Sequence, residues 1–375
     1  MSETVPALDR SHLHRALELA RRGRFRTAPN PMVGAVVVRD GVVVGEGHHA
    51  RVGGPHAEVV ALRHAGGEAT DATLYVTLEP CAHHGRTPPC VQAILEAGIS
   101  RVVVCHRDPN PDVAGRGLDL LEERGVEVEE GILLRDAVRL NWKYLVSKIV
   151  GRPAVTLKWA MTLDGKIATV AGESQWISSS EGRSWSLEQR EVHDAILIGS
   201  GTALADDPRL TRRLGRAEGP ILRGVLDRRL RLSAGAGLFR EAGPVLVYSR
   251  GGASREKVEE LEEAGGEVVH LSKVDPAGVL ADLHDREVQS VLVEGGGEIH
   301  AAFVAAGAFD RVAVVCAPRI LGGREAPGPV GGPGFPRLPE APVLGDLDVR
   351  SVGPDLLIES FRERCLQELY ESAAS

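Results

Sequence analysis

Apolar residues recur along this chain in two rhythms, one helical and one alternating. Residues 13–22 carry Leu13, Ala16, Leu17 and Ala20 at helical spacing behind Ser11, which is suited to capping. Residues 33–38 form a β-branched run, Asp40-Gly41 turns the chain, and 42–44 return it, which predicts a hairpin. A helix over 56–64, with Ala57, Val60 and Ala61 on one face, precedes a strand over 73–78. A helix over 91–97 ending at Gly98 leads to a strand over 102–105. Helices over 118–124 and 132–140 follow, with Val126 and Val128 extended between them. Alternating strands and helices predict an α/β layer domain.

At Gly151-Arg152-Pro153 the pattern restarts. Strands are predicted over 154–158, 195–198, 221–226, 245–248, 268–271, 291–293 and 312–315, and helices over 255–264 and 277–283. Pro and Gly crowd 327–336, which predicts a loop, and the polar last ten residues predict a frayed end. No repeat relates the two halves. The reading is therefore two different α/β domains, 1–147 and 148–375, joined somewhere in 141–152.

Composition narrows the function classes. Aromatics are only 4% of the 375 residues, so the cores must rely on Val, Leu, Ala and Ile. The formal net charge of −8 argues against a nucleic-acid partner but leaves room for a small anionic substrate held by placed arginines. The first ten residues lack the basic and apolar regions of a signal peptide, and no apolar run approaches the roughly 20 residues of a membrane span. Five cysteines spread over the chain do not read as a disulfide framework. A cytoplasmic protein with free thiols and no membrane partner is expected, and a homo-oligomer is the expected assembly.

The close pair Cys81 and Cys90 calls for chemistry. His56-Ala57-Glu58 opens one predicted helix, Glu79-Pro80-Cys81 ends a strand, and Cys90 opens another helix behind Pro89. Two thiolates and a neutral imidazole balance Zn²⁺ and leave its fourth position for water, the catalytic rather than the closed pattern. Glu58, two residues from a ligand, is placed to move protons without binding the metal. A His-x-Glu followed by Pro-Cys is the signature of zinc deaminases, although here eight residues rather than two separate the cysteines. A structural zinc site, with His83 or His84 as a fourth ligand, is the alternative, and it leaves Glu58 unexplained.

Asn30-Pro31-Met32-Val33-Gly34, Pro55-His56-Ala57-Glu58 and the loop from Glu79 to Cys90 together resemble the bifunctional deaminase–reductase of riboflavin biosynthesis, eight-residue spacing included. Asp108-Pro109-Asn110-Pro111 and Ala114-Gly115-Arg116-Gly117 continue the resemblance. It implies a cytidine-deaminase-like α/β/α first domain that hydrolyses the ring amine of a diaminohydroxyphosphoribosylaminopyrimidine. Zinc would sit on His56, Cys81 and Cys90, with Glu58 catalytic, and Asn30 and the 83–86 loop would touch substrate. Asn30 as a turn former, and 83–86 as a solvated loop, are the plainer readings.

In the second half a strand runs through Glu294 into Gly295-Gly296-Gly297, a turn that lets backbone N–H groups approach phosphate, or simply a flexible corner. The resemblance extends here and implies an NADPH-dependent reductase with a dihydrofolate-reductase-like α/β fold. By resemblance, Ala160, Trp176, Thr202 and Asp206 hold the cofactor, together with Gly296, Gly297, Glu298, Ile299, His300, Ala301 and Ala302. Ser174, Arg190, Leu210, Arg213 and Glu294 fall at substrate positions. Arg190 and Arg213 suit a substrate phosphate as bidentate donors. Lys158 and Asp164 either assist or are structural. The resemblance is weakest over 215–290, and 141–150 departs from it. A nucleoside or tRNA deaminase with a helper domain would need a basic channel and stacking aromatics; a degenerate second half would not bind NADPH.

Overall fold

The computed structural model describes residues 7–82, 89–110, 115–252 and 254–374. Its chain divides into two compact units, Met1–Gly151 with Leu366–Ser375, and Arg152–Cys365.

In the first unit α1 (Ala7–Ala20) leads to the hairpin β1 (Gly34–Arg39) and β2 (Val42–His48), then α2 (Ala57–Ala65) and β3 (Thr73–Val76). Next come α3 (Cys90–Glu96), β4 (Arg101–Val104), α4 (Arg116–Glu123), β5 (Glu127–Glu129) and α5 (Leu134–Ile149). The hairpin turns at Asp40 and Gly41, both at positive φ, as a two-residue connection demands. The sheet order is β2-β1-β3-β4-β5; β1 runs antiparallel to both neighbours, and β3, β4 and β5 are parallel. Period-two alternation splits the strands between two cores. Ala35, Val37, Leu74 and Val102 pack with Ala61, Ile94 and Leu118 on one face, while Val36, Tyr75 and Val103 pack with Leu13, Leu17 and Ala137 on the other. The result is an α/β/α sandwich.

Of residues 141–152, expected to hold the joint, 141–149 are the second half of α5, where Trp142, Tyr144, Leu145 and Val146 are buried in the core. The boundary between the two units falls at the end of that range, between Gly151 and Arg152. The helix departs from helical geometry at Asn141, whose side chain accepts from Met32 N and donates to Met32 O, each at 2.8 Å.

The second unit runs β6 (Ala154–Thr162), α6 (Ser180–Glu191), β7 (Ala195–Gly199), α7 (Ser200–Asp206), β8 (Leu222–Leu226) and β9 (Val245–Arg250). It continues with α8 (Arg255–Glu263), β10 (Gly266–Leu271), α9 (Pro276–Asp285), β11 (Ser290–Val293), α10 (Gly297–Ala305) and β12 (Arg311–Ala317). The hairpin β13 (Asp348–Val352) and β14 (Asp355–Phe361) precedes α11 (Glu363–Ala374). The nine strands lie in the order β10-β9-β8-β7-β11-β6-β12-β14-β13, parallel from β10 to β12 and antiparallel beyond.

The expected frayed C-terminus is instead α11, because Leu366, Leu369 and Ala373 fall on one face and are buried. Two helices escaped the pattern. The polar α6 has only one buried aromatic, Trp185, and is started by Ser179, whose hydroxyl accepts from Gly182 N. At seven residues, α7 is too short for a period to show.

Candidate active sites

Three chain crossings assemble the first site. The helix α2 lies close on β2 because Gly47 has no side chain: a Cβ there would stand 2.3 Å from Ala57 O. That places His56 at the N-cap of α2 and Glu58 in its first turn, with Glu58 buried. Cys81 follows β3 and Cys90 begins α3; Cys90 N donates to Cys81 Sγ at 3.4 Å. His56 Nδ1 lies 3.1 Å from Cys90 Sγ and 3.5 Å from Cys81 Sγ, and the three ligand atoms are all within 4.8 Å of one another. Tetrahedral zinc would set such N and S atoms roughly 3.5–3.8 Å apart, so the donor set fits that metal.

The hydrogen bond from Cys90, followed by that from His56, holds the Cys81 thiol down at about 4 against the cost of burial, while Cys90, the donor, is pushed up. His56 is raised, first by its bond to Cys81. Burial raises Glu58, with the Cys81 charge adding to it.

Two carboxylates frame this centre from behind. Glu79 accepts from the backbone N–H groups of Asp108 (3.0 Å), Gly115 (2.9 Å) and Gly117 (2.8 Å), tying the chain after β4 to the Pro80-Cys81 turn. Gly117 must be glycine, since a Cβ would lie 1.9 Å from Pro80 O. Asp108 accepts from Tyr144 OH at 3.0 Å, and burial pushes it up to about 6. Asn30 is fixed by a residue the sequence did not single out. His49, buried and lowered by that burial, donates Nδ1–H to Pro55 O and takes Asn30 Nδ2–H on Nε2, both at 3.1 Å. Its ring meets that of His56 edge-on at 5.5 Å. The link spans 19 residues, so no local pattern could announce it. The 83–86 loop and Ala114 lie outside the described residues.

The second site is a cavity of about 400 Å³ at the carboxyl ends of β6, β11 and β7, where open parallel sheets bind ligands. Ala160, Ser174, Thr202, Asp206 and Glu294 line it, as do Lys158 and the turn from Gly296 to Ile299. Thr202 Oγ1 accepts from Gly296 N at 2.9 Å and braces that turn. The other expected residues sit differently. Arg190 gives Nε and Nη2 to the two Glu294 oxygens at 3.0 and 2.8 Å, a half-buried bidentate pair. Burial alone would raise Glu294, but Arg190, Lys158 and Arg213 outweigh it and hold it at about 2. Leu210 is buried in the core, Arg213 is exposed, and Trp176 is exposed with the Arg183 guanidinium over its ring. His300 is buried between Val293 O and Pro329 O, so its side chain faces carbonyls and not the cavity; Ala301 and Ala302 also lie off the lining.

Asp164 is a loop anchor. It accepts from Thr162 Oγ1 at 2.6 Å, Gly322 N at 2.7 Å and Leu321 N at 3.2 Å, tying the segment after β12 to the end of β6. Those bonds hold the carboxylate down at about 2.

A family profile described as the RibD C-terminal domain matches residues 153–358, and one for the cytidine and deoxycytidylate deaminase zinc-binding region matches 6–106. The riboflavin biosynthesis protein RibD of Bacillus amyloliquefaciens is 42% identical over 352 residues, 93% of this chain and 95% of its own. That of Escherichia coli K12 is 40% identical over 364 residues, covering 93% and 98%. The chain belongs to the RibD family. Among solved structures, Acinetobacter baumannii RibD superposes with a TM-score of 0.85 at 37% identity, covering 94% of this chain and 98% of that one. A diaminohydroxyphosphoribosylaminopyrimidine deaminase/5-amino-6-(5-phosphoribosylamino)uracil reductase from Thermotoga maritima gives 0.83 at 36%, covering 95% and 99%. As a RibD-family member the protein is a bifunctional deaminase and reductase of riboflavin biosynthesis, with a cytidine-deaminase-like first unit and a RibD reductase second unit.

Proposed function

We propose that the first unit hydrolyses the ring amine of a diaminohydroxyphosphoribosylaminopyrimidine to give 5-amino-6-(5-phosphoribosylamino)uracil and ammonia, and that the second then reduces the ribosyl group to ribityl with NADPH. The convergence of His56 Nδ1, Cys81 Sγ and Cys90 Sγ beside a buried carboxylate carries the first half of this reading. These three residues would hold zinc, which when bound supplies a water that ionises near neutral pH. Glu58 takes a proton from the attacking water and passes it to the ring nitrogen, then carries a second from the resulting hydroxyl to the leaving amine, within reach of the proposed metal ligands but not one of them. Asn30, with its amide nitrogen bonded to His49, offers its carbonyl oxygen to the pyrimidine.

In the second unit the cavity's glycine turn and Thr202 would receive the NADPH pyrophosphate, and the cofactor supplies a hydride when bound. A Cβ on Gly295 would stand 2.2 Å from Ile299, and one on Gly297 2.8 Å from Gly328 O, so the close backbone approach is built in. Lys158, beside Glu294 and lowered by burial, is placed to donate a proton to the opened sugar. Arg190 acts by holding Glu294, which leaves the exposed Arg213 as the phosphate partner. A cytoplasmic location and a homo-oligomer complete the proposal; all five cysteines are free, and among the described residues no helix is long and apolar enough to cross a membrane.

Incubation with the pyrimidine substrate, with and without NADPH, tests the reading by product mass. Deamination replaces an amine by oxygen, and reduction adds two hydrogens. Deamination without any NADPH-dependent mass gain would remove the second half of the proposal.

A further inference from the structure

The helix α6 ends on Arg190 and Glu191, and both reach the same turn, residues 211–217. A carboxylate in the last turn of a helix meets the negative end of the dipole, so something must compensate it. Glu191 is buried, and four backbone N–H groups supply the compensation. Its Oε1 accepts from Arg213 N at 3.2 Å and Leu214 N at 2.9 Å. Its Oε2 accepts from Arg216 N at 3.1 Å and Ala217 N at 3.0 Å. Between the two pairs stands Gly215 at φ +64°, and a left-handed residue there turns successive N–H groups into one concavity. Such concavities bind anions, and this one is filled by the protein's own carboxylate. Burial alone would raise Glu191, but the four bonds outweigh it and hold it below the ordinary carboxylate value.

The turn is gripped from its other side as well. Arg190 Nη1 donates to Thr211 O at 3.3 Å while its Nε and Nη2 hold Glu294. Arg212 runs back over the end of α6, giving Nε to Arg190 O at 3.2 Å and Nη2 to His193 O at 2.7 Å. Its Nη1 reaches Glu218 O and Gly219 O, each at 3.1 Å, and Arg216 pairs with Glu188 at 2.6 Å. Arg213 differs from both. It is exposed, forms no ion pair among the described residues, and gives only Nε to Thr211 Oγ1 at a long 3.4 Å. Of the turn's three guanidiniums, Arg213 is the one left for a ligand.

Glu294 fixes where that ligand would lie. It lines the reductase cavity, Arg190 joins it to Thr211, and it feels the Arg213 charge. Arg213 therefore stands at the cavity's rim beyond β11. Little in its own side-chain contacts keeps it there. Its backbone does, through Glu191.

We infer that Glu191 is a positioning residue of the reduction: by holding the backbone of 213–217 it sets Arg213 where that guanidinium takes the substrate's phosphate. The inference rests on the reading of Arg213 above and adds the residue on which Arg213 depends.

The test compares the full chain with Glu191→Gln, Glu191→Asp, Arg213→Gln and the double variant Glu191→Gln/Arg213→Gln. Each receives NADPH and either 5-amino-6-(5-phosphoribosylamino)uracil or its dephosphorylated ribosyl form. Arg213→Gln should raise KM for the phosphorylated substrate on the order of tenfold, the loss of a bond to a charged group. Glu191→Gln keeps the volume but turns an amine on one pair of N–H groups. It should raise the same KM with kcat little changed, and leave KM for the ribosyl form as in wild type. Glu191→Asp, which keeps the charge and shortens its reach, should fall between. The double variant should bind phosphorylated substrate no worse than Arg213→Gln alone, because residues acting through one contact are not additive. Equal weakening of both substrates in both Glu191 variants would make the carboxylate purely structural and overturn the inference. So would unchanged kinetics in them while Arg213→Gln is impaired, with the Arg213 reading left standing. An Arg213→Gln that matches wild type on both substrates would remove that reading, and the inference with it.

Discussion

Glu58 lies two residues along the chain from His56, and in the proposed mechanism that offset separates holding a metal from moving a proton. Cys81→Ala or Cys90→Ala should remove zinc and deamination together, read by metal analysis against the wild type's expected one zinc per chain. Glu58→Gln keeps the volume and much of the hydrogen bonding. It should retain zinc while deamination falls by roughly 10²–10⁴-fold, the usual range for general acid–base assistance. Reduction of supplied 5-amino-6-(5-phosphoribosylamino)uracil should be unaffected in that variant. Near-normal deamination by it would make Glu58 a structural carboxylate. Gly117 tests the frame behind the ligands. An alanine Cβ 1.9 Å from Pro80 O must push Pro80 and Cys81 aside, so Gly117→Ala should lower zinc content although no ligand has changed. The convergence of His56, Cys81 and Cys90 beside a buried Glu58 was legible in the sequence because their types and spacing are local. His49, Asn141 and the Glu79 clamp were not, because each works through a contact 19 to 109 residues away.

At the level of elements, legibility followed apolar content. Apart from the unread hairpin β13–β14, the β-branched strands of both sheets stood out, while α6 and α7 offered no readable stripe and α11 was mistaken for a frayed end. Where two elements touch through a glycine, no local pattern announces how close they come. Gly47→Ala would force α2 away from β2, at a cost of about 1–3 kcal/mol for overpacking. The expected result is a lower melting temperature together with weaker zinc retention, because α2 carries His56. In the second unit Gly296→Val places a branched side chain 3.3 Å or less from Thr202 Oγ1 at the turn that Thr202 braces. Its KM for NADPH should rise on the order of tenfold, the loss of a bond to a charged phosphate, with deamination unchanged. An unaltered NADPH titration would reduce the glycine turn to a corner.

For the whole molecule, the second unit is inserted within the first: residues 152–365 lie between the two segments that build the deaminase unit. In the closing segment Leu366 and Leu369 are buried, and Arg139 Nε donates to Tyr370 OH at 3.1 Å. Removing residues 366–375 exposes the surface those leucines cover, roughly 3–5 kcal/mol of burial. The truncated chain should therefore lose deamination at a lower temperature than reduction when the two half-reactions are followed separately on heating. Parallel loss of both would mean that the tail is not specific to the first unit. The insertion also sets a schedule for biosynthesis. The ribosome releases the deaminase strands first, yet the segment that completes that unit emerges only after the 214 residues of 152–365. At ordinary elongation rates the interval is roughly 10–40 s. For that time the nascent deaminase unit waits with its α11 docking surface bare, dependent on chaperones or on its own partial stability, while the reductase strands are still emerging.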